Sequence, residues 1–373
     1  MSPPDPLDVQ AAEVVLPCAE LDETLAFFTE RLGFRVRAIF PADGPRVAVL
    51  AGHGLRLRLE RGASGDPGRL RLLCRGAAPA GAPLRAPNGT LVELAPADPP
   101  LSVPDARPSF VVSRAADGAS WQVGRATMRY RDLVPDRQGG RFIASHIRIP
   151  TGGPVPDYVH FHKVRFQMIY GYRGWSRLVY EDQGEPFVLR PGDCVLQPPE
   201  IRHRVLECSP GHEVIEVGCP AEHETFADPA TELPTAARRP SRDFGGQRFV
   251  RHVAADASWQ PFRLGGFECR DTGIAAATGG LAGVRVARRR GEPTREALSH
   301  DAEFLLHFVL EGALTLRCEG EGTYELGPGD CFVVPPGRRH ALEPGAGALE
   351  LLEVALPAAF TTTRHPGETL ADE

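Results

Sequence analysis

VHFHKVRFQMIYGYRG, residues 159–174, is the stretch from which the fold is read. His160 and His162 stand two apart in a strand-like run, so both imidazoles leave the same face. Gln167 follows after a four-residue gap, and a local bulge would bring its amide to that face. His203 comes from LQPPEIRHRV (196–205), which a closed barrel can lay beside the first strand. A lone histidine is more often a satisfied core group. Two on one strand face, with a spaced glutamine and a distant third histidine, predict a divalent-metal site. Neutral imidazole suits Fe(II), Mn(II), Ni(II), Cu(II) or Zn(II). Three imidazoles and one amide oxygen leave positions of an octahedral ion open, as a catalytic metal requires.

Outward from this stretch the chain repeats itself. AADGASWQ ends at Trp121-Gln122 and AADASWQ at Trp259-Gln260. Gly174 matches Gly312, PGDCVLQPP (191–199) matches PGDCFVVPP (328–336), His203 matches His340, and EVGCP (216–220) matches EVALP (353–357). Similarity over such a length means a duplicated domain. Each copy consists of short apolar-alternating runs broken by Gly and Pro, such as FIASHIRI, FQMIYGY and RLVYE, which predicts a sandwich or barrel. The segment around 221–245, rich in proline, alanine and charge, reads as the linker between copies.

In the second copy His300 aligns with His162, but Leu298 and Leu305 replace His160 and Gln167. A structural barrel is expected there. A shifted set of His300, Glu303, His307 and His340 is the alternative. Near the first site, Tyr158 shares the parity of the two histidines. His146 and Arg148 alternate with Ile143, Ile147 and Ile149. If the isoleucines face outward, Arg148 can clamp a substrate carboxylate; if they face inward, Arg148 is solvated.

The first 98 residues differ. AEVVLPC reads as a strand and LDETLAFFTERLGF as an amphipathic helix stopped at Gly33, with Leu25, Phe28 and Leu32 on one face. FRVRAIF, RVAVLAG and LRLRLE complete a βαβββ module, and RLRLLC and TLVELA follow. The proline-rich APADPPLSVPDARP (95–108) reads as a linker.

The bulk numbers exclude several classes. The chain has 373 residues and a net charge of −6, which offers no footprint for nucleic acid or an anionic membrane. Eight cysteines without a CxxC pair do not make a disulfide framework or zinc ribbon, and Cys194 and Cys331 read as core. No apolar run is long enough for a membrane span and no signal peptide is visible, so a cytoplasmic location is expected.

The site residues resemble the two motifs of the cupin superfamily. His160, His162, Gln167 and Gly174 match the spacing of the first, with Gly153 one position from its usual place. Gly192, Pro198 and His203 match the second, with Glu200 where a glycine is usual; Gly329, Pro335, Gly337 and His340 match it in full. The resemblance implies a mainly β bicupin, with a barrel at 109–228 whose metal ligands are His160, His162, Gln167 and His203, and a degenerate barrel at 246–360. VVLPCAELDETLAFFTERLGF and APNGTLVEL resemble half of a vicinal oxygen chelate (glyoxalase-like) domain at 1–98, whose metal positions would fall on Glu13 and Glu93. The expectation is a metal-dependent enzyme, with Fe(II) first among Mn, Ni, Zn and Cu, working as a homodimer. It would be a dioxygenase on a diketone, enol or catechol-like compound, with Arg148 and Tyr158 as catalytic candidates. The alternatives are a Lewis-acid isomerase, tautomerase or lyase, and a non-catalytic small-molecule sensor.

Overall fold

The computed structural model of the chain describes residues 9–76, 81–116, 121–292 and 296–366. Residues 117–120, the middle of the first AADGASWQ segment, lie outside these. The chain forms two compact units, Met1–Pro100 and Leu101–Glu373. No helix among the described residues is long and apolar enough to cross a membrane. The cysteines are free, and Cys194 and Cys331 are buried.

In the first unit, strand Val14–Pro17 lies parallel to Leu55–Glu60, which continues antiparallel through Val47–Gly52 to Arg35–Phe40. The connecting helix is α-helical over Leu21–Ala26 and π-helical over Phe27–Arg31. Its apolar face buries Phe28 and Leu32 against Leu50, Leu57 and Leu59 of the sheet. The chain leaves it through Gly33 at φ +73°, a conformation that costs glycine little. The remaining strands form a sheet of their own, in which Arg69–Cys74 runs parallel to Leu91–Pro96 and Leu84–Arg85 pairs with the latter antiparallel.

The second unit is two β-barrels, each of two sheets. Strand alternation explains how they meet. On Phe166–Arg173, residues Phe166, Met168 and Tyr170 face the partner barrel, while Gln167 and Ile169 face their own barrel's interior. Val284, Val286, Phe304, Leu306 and Phe308 of the second barrel complete this shared core, where Phe142 stacks on Phe304 at 4.3 Å.

The barrels also exchange strands. Val111–Ser113, which precedes the first barrel, pairs with Cys331–Val333 of the second. Val250–His252, which precedes the second, pairs with Cys194–Leu196 of the first. Two buried arginines cross with them. Arg131 donates to the carbonyl of Gly329, and Arg270 donates to that of Gly192 at 2.9 Å. Both glycines belong to the repeated PGDC turn and have positive φ; a side chain on Gly192 would also meet the Arg270 guanidinium. Sheet membership therefore crosses the sequence boundaries at both barrels.

Neither barrel can open without unpairing a strand of the other. Denaturation followed through Trp175 of the first barrel and Trp259 of the second, in variants each retaining one of these tryptophans, should give coincident transitions. Two separated midpoints would contradict the reciprocal exchange.

Candidate metal centre

His160 and His162 come from the short strand His160–His162, and both are buried, as two positions of equal parity on an inward face should be. His160 pairs directly with His203 across the sheet, which places their rings 4.2 Å apart. The His162 ring lies 5.2 Å from that of His160 and 5.4 Å from that of His203. One ligating atom from each of the three lies within 4.8 Å of the others, and they form the metal-capable group found among the described residues.

Hydrogen bonds fix which nitrogen each ring offers. Nδ1–H donates to the carbonyl of Tyr158 at 2.7 Å in His160, of Glu224 at 3.2 Å in His162 and of Ile201 at 3.0 Å in His203. A carbonyl can only accept, so Nε2 keeps its lone pair in every case. Burial first, and then neighbouring Arg125 and histidines, pushes all three rings down to about 3. They are neutral at pH 7. Backbone carbonyls that orient imidazoles toward a shared point are the usual outer support of a metal site. The residues therefore fit a divalent ion.

Gln167 reaches the same cavity by a different route from the one expected. No bulge lies between it and His162. The histidine strand ends at His162, residues 163–165 cross over, and Gln167 sits near the start of Phe166–Arg173 in the facing sheet. Its amide Nε2 donates to Glu216 at 2.6 Å.

The cavity occupies about 310 Å³ inside the first barrel, and Ile143, Ile147, Ile149, Ile169, Leu178 and Val205 form much of its wall. This corrects the candidate role of Arg148. The isoleucines point inward, so alternation turns Arg148 out of the barrel, where it is half-exposed and 3.6 Å from Glu213. His146, on the same outward face, donates Nε2–H to the Glu213 carboxylate at 2.9 Å beside the second barrel's Phe308. Tyr158 is exposed near the site: its ring centroid is 5.8 Å from that of His160, and its carbonyl holds that imidazole.

Sequence reasoning missed four groups here. Arg125 places Nη2 3.0 Å from Nε2 of His160, is anchored by an ion pair to buried Asp157 and lies 5.7 Å from the centre of the Tyr158 ring. Glu216 faces the cavity from strand His212–Cys219. His223 lies with its ring 5.2 Å from that of His162. Tyr180 stacks on His203 at 5.5 Å and accepts from Gln197 at 2.9 Å. The signal for two of these was present: Arg125 and Glu216 recur in the repeat as Arg263 and Glu353.

In the second barrel those two recurring residues pair with each other. Arg263 forks onto Glu353, which also meets Nε2 of His307 at 3.1 Å. Phe332, where the first barrel has Val195, stacks on His307 at 4.8 Å and helps fill the interior. The shifted set is not assembled. Glu303 pairs with Arg141 and His300 donates Nε2–H to the carbonyl of Val334, while Nδ1 of His300 and of His307 is buried without a partner. In the N-terminal unit Glu13 is exposed beside one sheet, whereas Glu93 is on the other sheet, 3.5 Å from Arg71.

Residues 286–355 match the family model described as Cupin domain. No curated protein matches the chain. Among solved structures, the chain is similar to salicylate 1,2-dioxygenase from Pseudaminobacter salicylatoxidans, with a TM-score of 0.53 and 16% identity over 70% of this chain and 90% of that one. The same enzyme in adducts with gentisate gives 0.51 and 17% over 71% and 87%. A variant of oxalate decarboxylase from B. subtilis gives 0.50 and 15% over 76% and 89%. Identities this low carry fold and nothing finer.

Two predictions follow from the geometry. His162→Ala should strip most bound metal from the protein and His340→Ala should leave it nearly intact, by metal analysis after purification without chelator; equal losses would place an ion in each barrel. In the second barrel, burial opposes ionisation of Glu353, but Arg263 and His307 outweigh it and hold the carboxyl down to about 2. An unfolded glutamate titrates near ~4.3, so this stabilisation is complete above that pH and drains away as pH falls toward 2. Glu353→Gln should therefore cost on the order of 3 kcal/mol in urea unfolding at pH 7. The difference from wild type should shrink in acid; a pH-independent difference would contradict the pairing.

In its fold, the Leu101–Glu373 unit is similar to two tandem cupin barrels, with a match to the Cupin domain model at 286–355 and a three-histidine cluster in the barrel before it.

Proposed function

We propose that the first barrel is a metal-dependent catalytic centre and that the protein is a dioxygenase acting on a small catechol-like or enolic compound that carries an anionic group. One observation carries this reading: three buried, neutral imidazoles share an apolar cavity with a guanidinium, Arg125. His160, His162 and His203 would hold the ion through Nε2, and Gln167 through its amide oxygen. Bound there, Fe(II) would supply open positions for a bidentate oxygen ligand and the electrons for O2 chemistry.

The rest of the chemistry belongs to the chain. Arg125, held by Asp157, would take the substrate's anionic group beside the histidines, and Tyr158 would cover it from the rim. The isoleucine wall would bury the ring or enol and keep water out. The fold likeness to an enzyme that acts on salicylate and is seen with gentisate, both hydroxybenzoates, supports this substrate class. The likeness to an oxalate decarboxylase supports a second reading, in which the ion serves as a Lewis acid without net oxidation of the substrate. The N-terminal unit is read as a glyoxalase-like half-module serving as an appendage; its order, with parallel outer and neighbouring strands, supports that reading.

Iron-loaded protein mixed with hydroxybenzoates, catechols and enols should consume O2, and Arg125→Ala should lower kcat/KM on anionic substrates by about 10²-fold, the loss of a charged hydrogen bond, with metal content unchanged. Turnover that persists under argon would overturn the oxygenase in favour of the Lewis-acid enzyme. A bound metabolite with no turnover in either atmosphere would make the protein a sensor.

A further inference from the structure

Gln167 and Glu216 form a pair whose meaning depends on the metal reading above. Gln167 lies opposite Gly218 on the neighbouring strand, and Glu216 is two residues further along that strand, on the same face. Their side chains meet diagonally inside the barrel, with Nε2 of the amide 2.6 Å from Oε1 of the carboxylate. An ionised carboxylate only accepts hydrogen bonds, so it selects the nitrogen end of the amide. Without such a partner the two ends of a glutamine amide are nearly equal in shape, and either could turn toward an ion. Only the oxygen can ligate.

We propose that Glu216 is the positioning residue for the fourth metal ligand: it holds Gln167 by its Nε2–H, commits the amide oxygen to the ion, and returns by hydrogen bonding part of the negative charge that an amide lacks. Three imidazoles and an amide bring no charge to a divalent cation. A carboxylate one hydrogen bond away would polarise the amide and so make its oxygen a stronger ligand.

The second barrel serves as an internal comparison. It keeps the glutamate, as Glu353, but has Leu305 at the place of Gln167. There the carboxylate is neutralised by Arg263 and hydrogen-bonded by His307. In the first barrel the equivalent arginine, Arg125, is held away by Asp157, and Ile169 stands where His307 would be. Glu216 has no basic partner among the described residues, and its hydrogen bond goes to the amide. The carboxylate is left un-neutralised in the barrel that has the histidine cluster.

The test reverses donor and acceptor. Co(II) alone, without substrate, is titrated into wild type, Glu216→Gln, the double variant Gln167→Glu/Glu216→Gln, and His162→Ala. Affinity is read by chelator competition and the ligand field by the visible spectrum. Glu216→Gln should weaken Co(II) binding by at least about tenfold and alter the spectrum. The double variant should recover wild-type affinity or exceed it, because a carboxylate at position 167 can ligate while an amide at position 216 donates to it. Loss of a merely structural residue would not be repaired by that second change, and melting of the metal-free proteins separates a folding defect from a ligation defect. Unchanged affinity and spectrum in Glu216→Gln, or a double variant no better than that single one, would overturn the proposal. If His162→Ala also binds Co(II) normally, the site itself is misplaced; if His162→Ala loses Co(II) while Glu216→Gln does not, only the role of Glu216 fails.

Discussion

An imidazole taken out of water resists protonation, and three of them packed within reach of one another resist it more strongly. That constraint governs the first barrel. His160, His162 and His203 face inward on paired strands, and a backbone carbonyl holds Nδ1 of each. What remains is three Nε2 lone pairs directed into an apolar enclosure, with no proton at physiological pH to compete for them. Such an arrangement is poor packing unless something with a positive charge completes it. Arg125 meets one of those lone pairs, that of His160.

The two barrels show what the same framework does with and without that constraint. Both contain an arginine after the repeated Trp-Gln and a glutamate on the strand ending in EVGCP or EVALP. Where the two meet, as Arg263 and Glu353, they close a charge pair in an interior filled by Phe332 and its neighbours. Where they are kept apart, as Arg125 on Asp157 and Glu216 on Gln167, space remains between them. The filled barrel then supports the open one through exchanged strands and the crossing of Arg131 and Arg270. A cavity weakens a small barrel by removing packed atoms, and a shared core offsets that loss.

How much of this was legible in the sequence depended on whether the information was local. The parity of His160 and His162 follows from two-residue alternation, and the repeated turns and histidines located His203. Alternation also separated Arg148 from the isoleucines, but it cannot say which face of a strand is inside; only the packing of both sheets decided that the isoleucines line the cavity. Gln167 was read as reaching the site by a bulge, whereas the chain changes sheets after His162. The partnership of Gln167 with Glu216 depends on tertiary register, which spacing along one strand does not contain. The exchanged strands are three residues long, too short for periodicity to reveal them or their partners. Comparing the two copies residue by residue, beyond the histidines, would have singled out Arg125 and Glu216.

The most direct test of the metal reading is an anomalous-scattering map from crystals of protein loaded with Fe(II) or Co(II). The account predicts one strong peak in the first barrel at about 2.1 Å from Nε2 of His160, His162 and His203, a bond length typical of imidazole ligation, with Arg125 no longer on His160. A peak among other side chains, or no peak in fully loaded crystals, would contradict it.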